Sequence, residues 1–166
     1  MRDLFEHSGV LFSKCARYRY RLWRRWGDEP HALFVMLNPS TADEIVNDPT
    51  VERCERRSRS MGFGGLEVAN IFALRSTDPG ALYEAQDPVG AGNDEAILEA
   101  AQGAGIIICA WGNHGKHLGR GDQVQSMLQR AWPEKLHALV INRDGSPKHP
   151  LYVGYDVKPT PWLRTA

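Results

Sequence analysis

The chain alternates between short apolar runs and stretches whose apolar residues recur every three or four positions. One uninterrupted run, LFVML at 33–37, leads straight into Asn38, Pro39 and Ser40. Such a run predicts a strand that is buried on both faces, as in a parallel sheet, and that ends where proline has no N–H for the ladder. Similar runs predict three further core strands, at 66–73, 105–111 and 136–141.

Three helices are predicted between these strands. Asp48, followed directly by a proline, is a typical N-cap, and the apolar side of this first helix continues until the helix ends at Gly62. Its arginines fall largely on the opposite, outer side. A second helix begins with Asn93 or Asp94 as its cap, and a third spans 122–132.

The order of these elements predicts an α/β fold, a three-layer α/β/α sandwich around a mainly parallel four-stranded sheet. Residues 1–166 are expected to form a single domain. Before the first core strand, residues 15–26 alternate between arginines and apolar or aromatic residues, which predicts a strand with one cationic and one aromatic face. We expect this strand to pair antiparallel with the 33–37 strand, and residues 1–13 to form a peripheral arm or edge.

Composition and charge bound the classes of function. Twenty basic and twenty acidic side chains cancel, so the molecule as a whole is not a polycation of the kind that coats nucleic acid. No apolar run approaches the roughly 20 residues that cross a bilayer, and no signal peptide is evident, so we expect a cytoplasmic protein without a membrane partner. The three cysteines lack ligand spacing, so we expect no disulfide framework, no metal and no cofactor. Nothing in the composition predicts an oligomeric state.

Basic side chains are nevertheless concentrated in two segments of the chain. Arg17, Arg19 and Arg21 in the first segment, and Arg56 in the second, are candidates for contacts with a nucleic-acid backbone if both segments project to one side. The alternative is that these are two solvated faces, whose charges are paired with Asp and Glu elsewhere. Both interpretations fit the sequence.

Polar residues are found at the carboxyl ends of the predicted strands. They are Asn38, Asn70 with Arg75, Ser76 and Thr77 after it, Trp111 with Asn113 and His114, and His149. A parallel sheet brings these ends to one rim, which predicts a substrate-binding cleft lined by amides, an indole and an imidazole. Each residue also has a purely structural interpretation, as a turn cap, a bridge between strands, a core side chain or a rigid turn. The absence of a P-loop and of a GxGxxG motif weakens the assignment as a nucleoside-triphosphate- or dinucleotide-binding protein. The absence of a nucleophile elbow weakens the assignment of a Ser or Cys nucleophile.

Six segments together resemble a known family over nearly the whole chain: RYRYRLW, MLNPSTAD, NDPT, VANIFALRSTDP, AWGNHG and GSPKHPLY. The family is the bacterial and phage group catalogued as domain of unknown function 1643, which has no established activity. More distantly, the chain resembles the uracil-DNA glycosylase superfamily. There, one strand ends in Gly-x-Asp/Asn-Pro, a later strand carries an interior Asn, another ends in Trp-Gly, and a loop reads His-Pro-Ser. The matching segments are MLNPS at 36–40, VAN at 68–70, AWG at 110–112 and KHPL at 148–151.

The distant resemblance implies a uracil-DNA-glycosylase-like domain and a role for each matching residue. Asn38 would position a water for attack on the anomeric carbon of a nucleotide. Asn70 would read the polar edge of a base, and His149 would donate a hydrogen bond to a base oxygen as negative charge develops there. An amide orients water but is a poor base, so slower hydrolysis than from a carboxylate is expected.

Further residues would hold the nucleic acid around the base. Phosphates would lie on the backbone of Pro39 and Ser40 and on the arginines, and Leu151 would act as a wedge for a flipped nucleotide. Ser40 and Thr41 replace the aromatic residue with which strict uracil enzymes exclude thymine, so selectivity for uracil is not implied. Asp43 and Asp48 lie near the same mouth, and either would be available as a carboxylate base, although no matching motif assigns them that role.

The leading hypothesis from the sequence and its resemblance is a nucleobase-recognising protein that acts on nucleic acid, DNA in preference to RNA. It would hydrolyse the N-glycosidic bond of a modified or damaged base. One alternative is a non-catalytic nucleic-acid-binding module that has kept the pocket without the chemistry. Another is an enzyme that acts on free nucleosides or nucleotides.

Overall fold

The computed structural model describes residues 7–165, and the strands of this part form one mixed sheet of seven strands. In chain order they are β1 (His7–Phe12), β2 (Arg19–Arg25), β3 (His31–Met36), β4 (Gly65–Asn70), β5 (Ala104–Cys109), β6 (Leu136–Ala138) and β7 (Thr160–Pro161). Their order across the sheet is β1-β2-β4-β3-β5-β6-β7. The four middle strands are parallel to one another, whereas β1, β2 and β7 pair antiparallel with their neighbours.

The predicted α/β class is confirmed, but the sheet has seven mixed strands rather than four mainly parallel ones. This sheet does not establish the uracil-DNA-glycosylase-like sandwich that the resemblance implied. Antiparallel strands extend the sheet at both edges, and β7 is only two residues long, too short to leave a periodic pattern. Three of the core strands, β4, β5 and β6, are also shorter than predicted. β4 ends at Asn70 although the apolar run continues to residue 73, because residues 71–73 are buried without belonging to the strand.

The position of the basic strand differs from the prediction. β2 pairs with β1 and β4, with Leu22 opposite Val68, and it does not pair with β3. Both edges of β3 are occupied by the parallel strands β4 and β5, so β3 has no free edge for a further partner. The peripheral position predicted for the N-terminal residues agrees with β1, which forms the edge of the sheet; the first six residues lie outside the described part.

The helices are α1 (Pro49–Ser60), α2 (Gly80–Glu84), α3 (Asn93–Gly103) and α4 (Arg120–Ala131). The predicted start of α1 is confirmed, since the Asp48 carboxylate accepts a hydrogen bond from the Val51 N–H at 2.9 Å. The predicted cap of α3 is wrong: Gly92 precedes the helix with a φ of 80°, and Asn93 instead points inward, donating to the carbonyls of Asn70 and Ile71. Short 3₁₀ turns span Asn113–Gly119, Pro133–Lys135 and Pro150–Tyr152.

Helices cover both faces of the sheet and divide the interior into two apolar clusters. On one face, Phe34 and Val68 pack with Val51 and Cys54 of α1. On the other face, Val35 and its neighbours pack with α3 and α4. Cys109 also lies in this second cluster. None of the helices within residues 7–165 is long and apolar enough to cross a membrane. The two clusters pack against the parallel strands from both sides. The carboxyl ends of β3, β4 and β5 face one common cavity.

Candidate functional site

A cavity of about 520 Å³ lies at the carboxyl ends of β3, β4 and β5, and we call it the rim cavity. Its volume falls within the range of small-ligand sites, roughly 300–1,000 Å³. Its walls come from the loop after β3, the start of α1, the 3₁₀ turn after β5 and the Pro150–Tyr152 turn. Seven of the residues predicted to act in catalysis or substrate binding line it: Asn38, Ser40, Asn70, Trp111, Asn113, His149 and Leu151. These residues are up to 113 positions apart in sequence. They meet because the carboxyl ends of neighbouring parallel strands lie at the same edge of the sheet.

Asn38 has a fixed amide orientation in the wall of the rim cavity. Its Nδ2 donates to the backbone carbonyls of Ser76 at 3.0 Å and of Pro39 and Leu74, both at 3.3 Å. Three carbonyl oxygens around one terminal atom identify that atom as the nitrogen, so Oδ1 is the acceptor on the other side. Such an acceptor can orient a water molecule. Pro39 contributes through its carbonyl only, and it does not line the cavity.

Asn70 has an unsatisfied polar atom at the bottom of the cavity. The residue is 2% exposed, and its Oδ1 has no hydrogen-bond partner within residues 7–165. A buried acceptor without a partner costs about 1–3 kcal/mol. A ligand that donates an N–H to Oδ1 would recover that cost, which is the arrangement expected of a group that reads the edge of a base.

His149 is held as a neutral hydrogen-bond donor. Its Nδ1 accepts from the Leu151 N–H at 3.3 Å, which places the ring proton on Nε2. Burial lowers the pKa of His149 below its ordinary value, although the Asp48 carboxylate opposes this shift. At neutral pH the ring is therefore uncharged and offers the Nε2 proton as its donor.

The loop that carries His149 is attached to α1 by two arginines. Arg53 donates to the carbonyls of Pro150 and Val153, and Arg57, only 3% exposed, donates to Val153 and two further carbonyls. The ring of Tyr155 packs over both guanidinium groups. The sequence predicted these arginines on the outer side of the helix, and for Arg57 that is wrong. The same helix thus supplies Asp48 at its start and supports the His149 loop along its length.

The arginines predicted to contact a nucleic-acid backbone lie in four different environments. Arg21 is ion-paired with Glu67 and Glu99 on the α3 side of the sheet, and Arg56 pairs with Glu52 at 2.9 Å. Arg17 is exposed beside the ring of Tyr18. Arg19 is 2% exposed and lines the rim cavity.

A β-bulge explains why Arg19 and Arg21 point to opposite faces. Leu11 pairs with Arg21 but Phe12 pairs with Arg19, so Tyr20 is an extra residue in β2. One extra residue reverses the alternation of side chains from that point on. Arg19 therefore turns to the α1 side, where its Nη1 donates to the Ala42 carbonyl at 3.0 Å. The simple alternation that was read from the sequence missed this reversal.

Trp111 contributes to the wall of the cavity, but its ring packs elsewhere. The indole is 3% exposed and stands at 61° to the ring of Trp162, with centroids 5.6 Å apart. A Cβ at Gly115 would come within 2.3 Å of the indole, and one at Gly121 within 2.7 Å. The two glycines make room for the ring, so its main role is packing. One rim residue that sequence reasoning missed is Tyr152, which is 73% exposed and lies 6.4 Å, ring to ring, from His149.

The ionisable side chains in the cavity wall include Arg19, Asp48 and the two histidines His114 and His149. Asp48 is tied to α1 by its capping bond and also accepts from the Ala42 N–H at 3.4 Å. No group of three or more His, Cys, Asp or Glu side chains in residues 7–165 is placed to hold a metal ion. What the arrangement offers is a buried acceptor, an oriented amide, a neutral imidazole donor and one buried cation.

Comparison with known proteins identifies the family. A family model described as "Protein of unknown function (DUF1643)" matches residues 19–151. The chain belongs to this family. No curated protein and no solved structure matches the chain. The match covers β2 and every residue of the rim cavity except Tyr152, so the cavity belongs to the part of the chain that the family shares.

Proposed function

We propose that this DUF1643 protein binds a nucleotide in the rim cavity and hydrolyses its N-glycosidic bond, with a modified or damaged base of DNA as the leaving group. The proposal includes a uracil-DNA-glycosylase-like arrangement of the site. The observation that carries it is the buried Oδ1 of Asn70 in the wall of the cavity, which has no partner within residues 7–165 and can accept a hydrogen bond from a ligand. The edge of a nucleobase supplies such a donor, and the volume of the cavity is sufficient for a base.

The reaction uses three side chains of the cavity. Asn38 Oδ1 accepts a hydrogen bond from a water, and the oxygen of that water attacks the anomeric carbon. The bond from this carbon to the base nitrogen breaks, and the electron pair leaves with the base. The Nε2 proton of His149 stabilises the charge that develops on a base oxygen, while Asn70 holds the base in position. The base finally takes up a proton from the solvent, and the proton lost by the water balances it.

The expected rate is modest because the cavity offers an amide, not a free carboxylate, to the attacking water. Removing one preorganised donor to a developing charge usually costs about 100- to 1,000-fold in rate. His149→Ala should therefore reduce turnover by that factor. Asp48 is a carboxylate in the same wall, but two backbone N–H groups already occupy it.

The test is release of base from single- and double-stranded DNAs that carry uracil, mismatched thymine or modified pyrimidines, at low salt. Asn38→Ala should abolish release, with an unchanged circular dichroism spectrum. Asn70→Leu is more informative, because it removes an unsatisfied buried acceptor and should leave the free energy of unfolding unchanged or raise it while release is lost. The exposed amide of Gln123 on α4 provides the control, and Gln123→Ala should keep full activity.

The outcomes separate the candidate functions. Release that persists in Asn38→Ala would refute the mechanism. Salt-sensitive binding of DNA without release would instead indicate a non-catalytic binding module. An enzyme of free nucleotides is the second candidate, and one observation favours it: Arg21 and Arg56, two of the four arginines predicted to contact a nucleic-acid backbone, are already paired with glutamates.

A further inference from the structure

Arg19 is a buried cation without a matching anion. It is 2% exposed, and its guanidinium makes one hydrogen bond within residues 7–165, from Nη1 to the Ala42 carbonyl. Its Nε is buried and has no partner, and no described carboxylate lies within 4.0 Å of the group. A buried charge is stable only when it is paired and hydrogen-bonded, so this arrangement is incomplete without a further group.

The surroundings of Arg19 do not supply that group. Asp48 is the carboxylate that acts on it, while Arg24 and Arg75 contribute positive charge from the same side. The Asp48 carboxylate also acts on His149, and it accepts hydrogen bonds from the backbone N–H groups of Ala42 and Val51. Burial lowers the pKa of Arg19 to about 10, which still leaves it protonated at neutral pH. Arg19 is therefore a protonated cation in the wall of the rim cavity, beside one carboxylate, Asp48.

We propose that Arg19 forms an oxyanion subsite inside the rim cavity, and that it binds the phosphate of the nucleotide whose base is held at Asn70. Nη1 bonds to the Ala42 carbonyl, whereas the buried Nε has no partner among the described residues. The Nε edge of a guanidinium carries two parallel donors, which match a phosphate. Because the group is almost completely buried, phosphates of a strand that crosses the outer surface cannot reach it. The phosphate has to enter the cavity together with its base.

This inference depends on the proposed function for the identity of the ligand as a nucleotide. It adds that a base alone, or a nucleoside, is an incomplete ligand. A hydrogen bond to a charged group contributes enough to predict that a nucleoside monophosphate binds about ten- to a hundredfold more tightly than its nucleoside.

The first experiment uses the unaltered protein. Its melting temperature is measured in inorganic phosphate and in chloride of equal ionic strength, followed by calorimetry with matched nucleosides and 5′-monophosphates of each common base. We expect stabilisation by phosphate and tighter binding of every monophosphate than of its nucleoside. If phosphate gives no stabilisation and the pairs bind equally, the subsite does not exist. A preference that follows guanine regardless of phosphate would also overturn it, because Arg19 would then read a purine edge.

Variants then assign the effect to Arg19. In Arg19→Gln the advantage of the monophosphate should disappear while nucleoside binding is kept, and in Arg19→Lys it should be partly kept, because the charge remains but the paired donors do not. Arg130, an exposed arginine on α4, supplies the control, and Arg130→Gln should retain the full difference. If Arg19 only held the loop at Ala42, its variants would weaken both ligands equally, and the proposal would fail.

Two further comparisons complete the design. A free monophosphate that binds more tightly than a short oligonucleotide with internal phosphodiesters would identify a free nucleotide as the source of the phosphate, and the reverse order would identify a DNA strand. Both results support the subsite. Preference for phosphate without any base release would reject the proposed hydrolysis and support the subsite. Base release without preference for phosphate would support the hydrolysis and reject the subsite.

Discussion

Replacing Arg57 tests whether α1 holds the segment that carries His149. Arg57 is 3% exposed, and its guanidinium donates to the carbonyls of Val157 at 2.7 Å, Gly154 at 3.0 Å and Val153 at 3.2 Å. In Arg57→Ala the carbonyls of Gly154 and Val157 lose this donor, whereas that of Val153 keeps its bond from Arg53. The chain after the Pro150–Tyr152 turn therefore loses part of its attachment to the helix.

The size of the effect follows from the burial of each bond. A hydrogen bond to a charged donor contributes about 1.5–3 kcal/mol, but the carbonyls of Gly154 and Val157 are partly accessible and regain water when the arginine is removed. Counting between one and two full bonds, the free energy of unfolding should fall by about 1.5–6 kcal/mol, a large part of the stability of a domain of this size.

The assay is urea denaturation followed by tryptophan fluorescence and circular dichroism. Arg56 is the matched control, since it is the adjacent arginine of the same helix but is exposed and pairs with Glu52. Arg56→Ala should cost no more than about 0.5 kcal/mol. If the two variants differ by less than about 0.5 kcal/mol, a typical error of such comparisons, the bonds of Arg57 do not hold the segment and our reasoning is wrong.

Two other predictions concern groups whose pKa values are shifted. Burial raises the pKa of Cys54 and Cys109, whereas the Ser13 hydroxyl lowers the pKa of the exposed Cys15. A chromogenic thiol reagent should therefore titrate one thiol in the native protein and all three after denaturation. Two fast-reacting thiols in the native protein would contradict this. Burial lowers the pKa of His31 and His149, so the unfolded chain binds more protons below about pH 6.5, and the free energy of unfolding should fall from pH 7.5 to about 5.5. His149→Gln should flatten that pH dependence, and an unchanged slope would show that His149 is not buried as described.

The candidate site could be predicted in large part because it depends on local patterns and one topological rule. Apolar runs marked β3, β4 and β5, and a polar residue after or at the end of each run marked the rim. Asp48 before a proline marked the start of α1, which the capping bond confirms. These signals are local in the chain, so they survive without knowledge of strand order or partner.

The chemistry inside the rim cavity depended on contacts that no local pattern contains. The bulge at Tyr20 arises from the pairing of β2 with β1, and it alone turns Arg19 away from Arg21 and into the cavity. The inward direction of Arg57 likewise depends on carbonyls about 100 residues further along the chain.

The sequence by itself therefore determined the class of fold and most of the residues around the cavity, because burial and helix capping are encoded over a few neighbouring positions. The tertiary structure decided the partner of β2, the number of strands, and which polar atoms remain without partners. Those features are set by which distant segments meet. The unpaired Oδ1 of Asn70 and the unpaired Nε of Arg19, on which both proposals depend, exist only as a result of that packing.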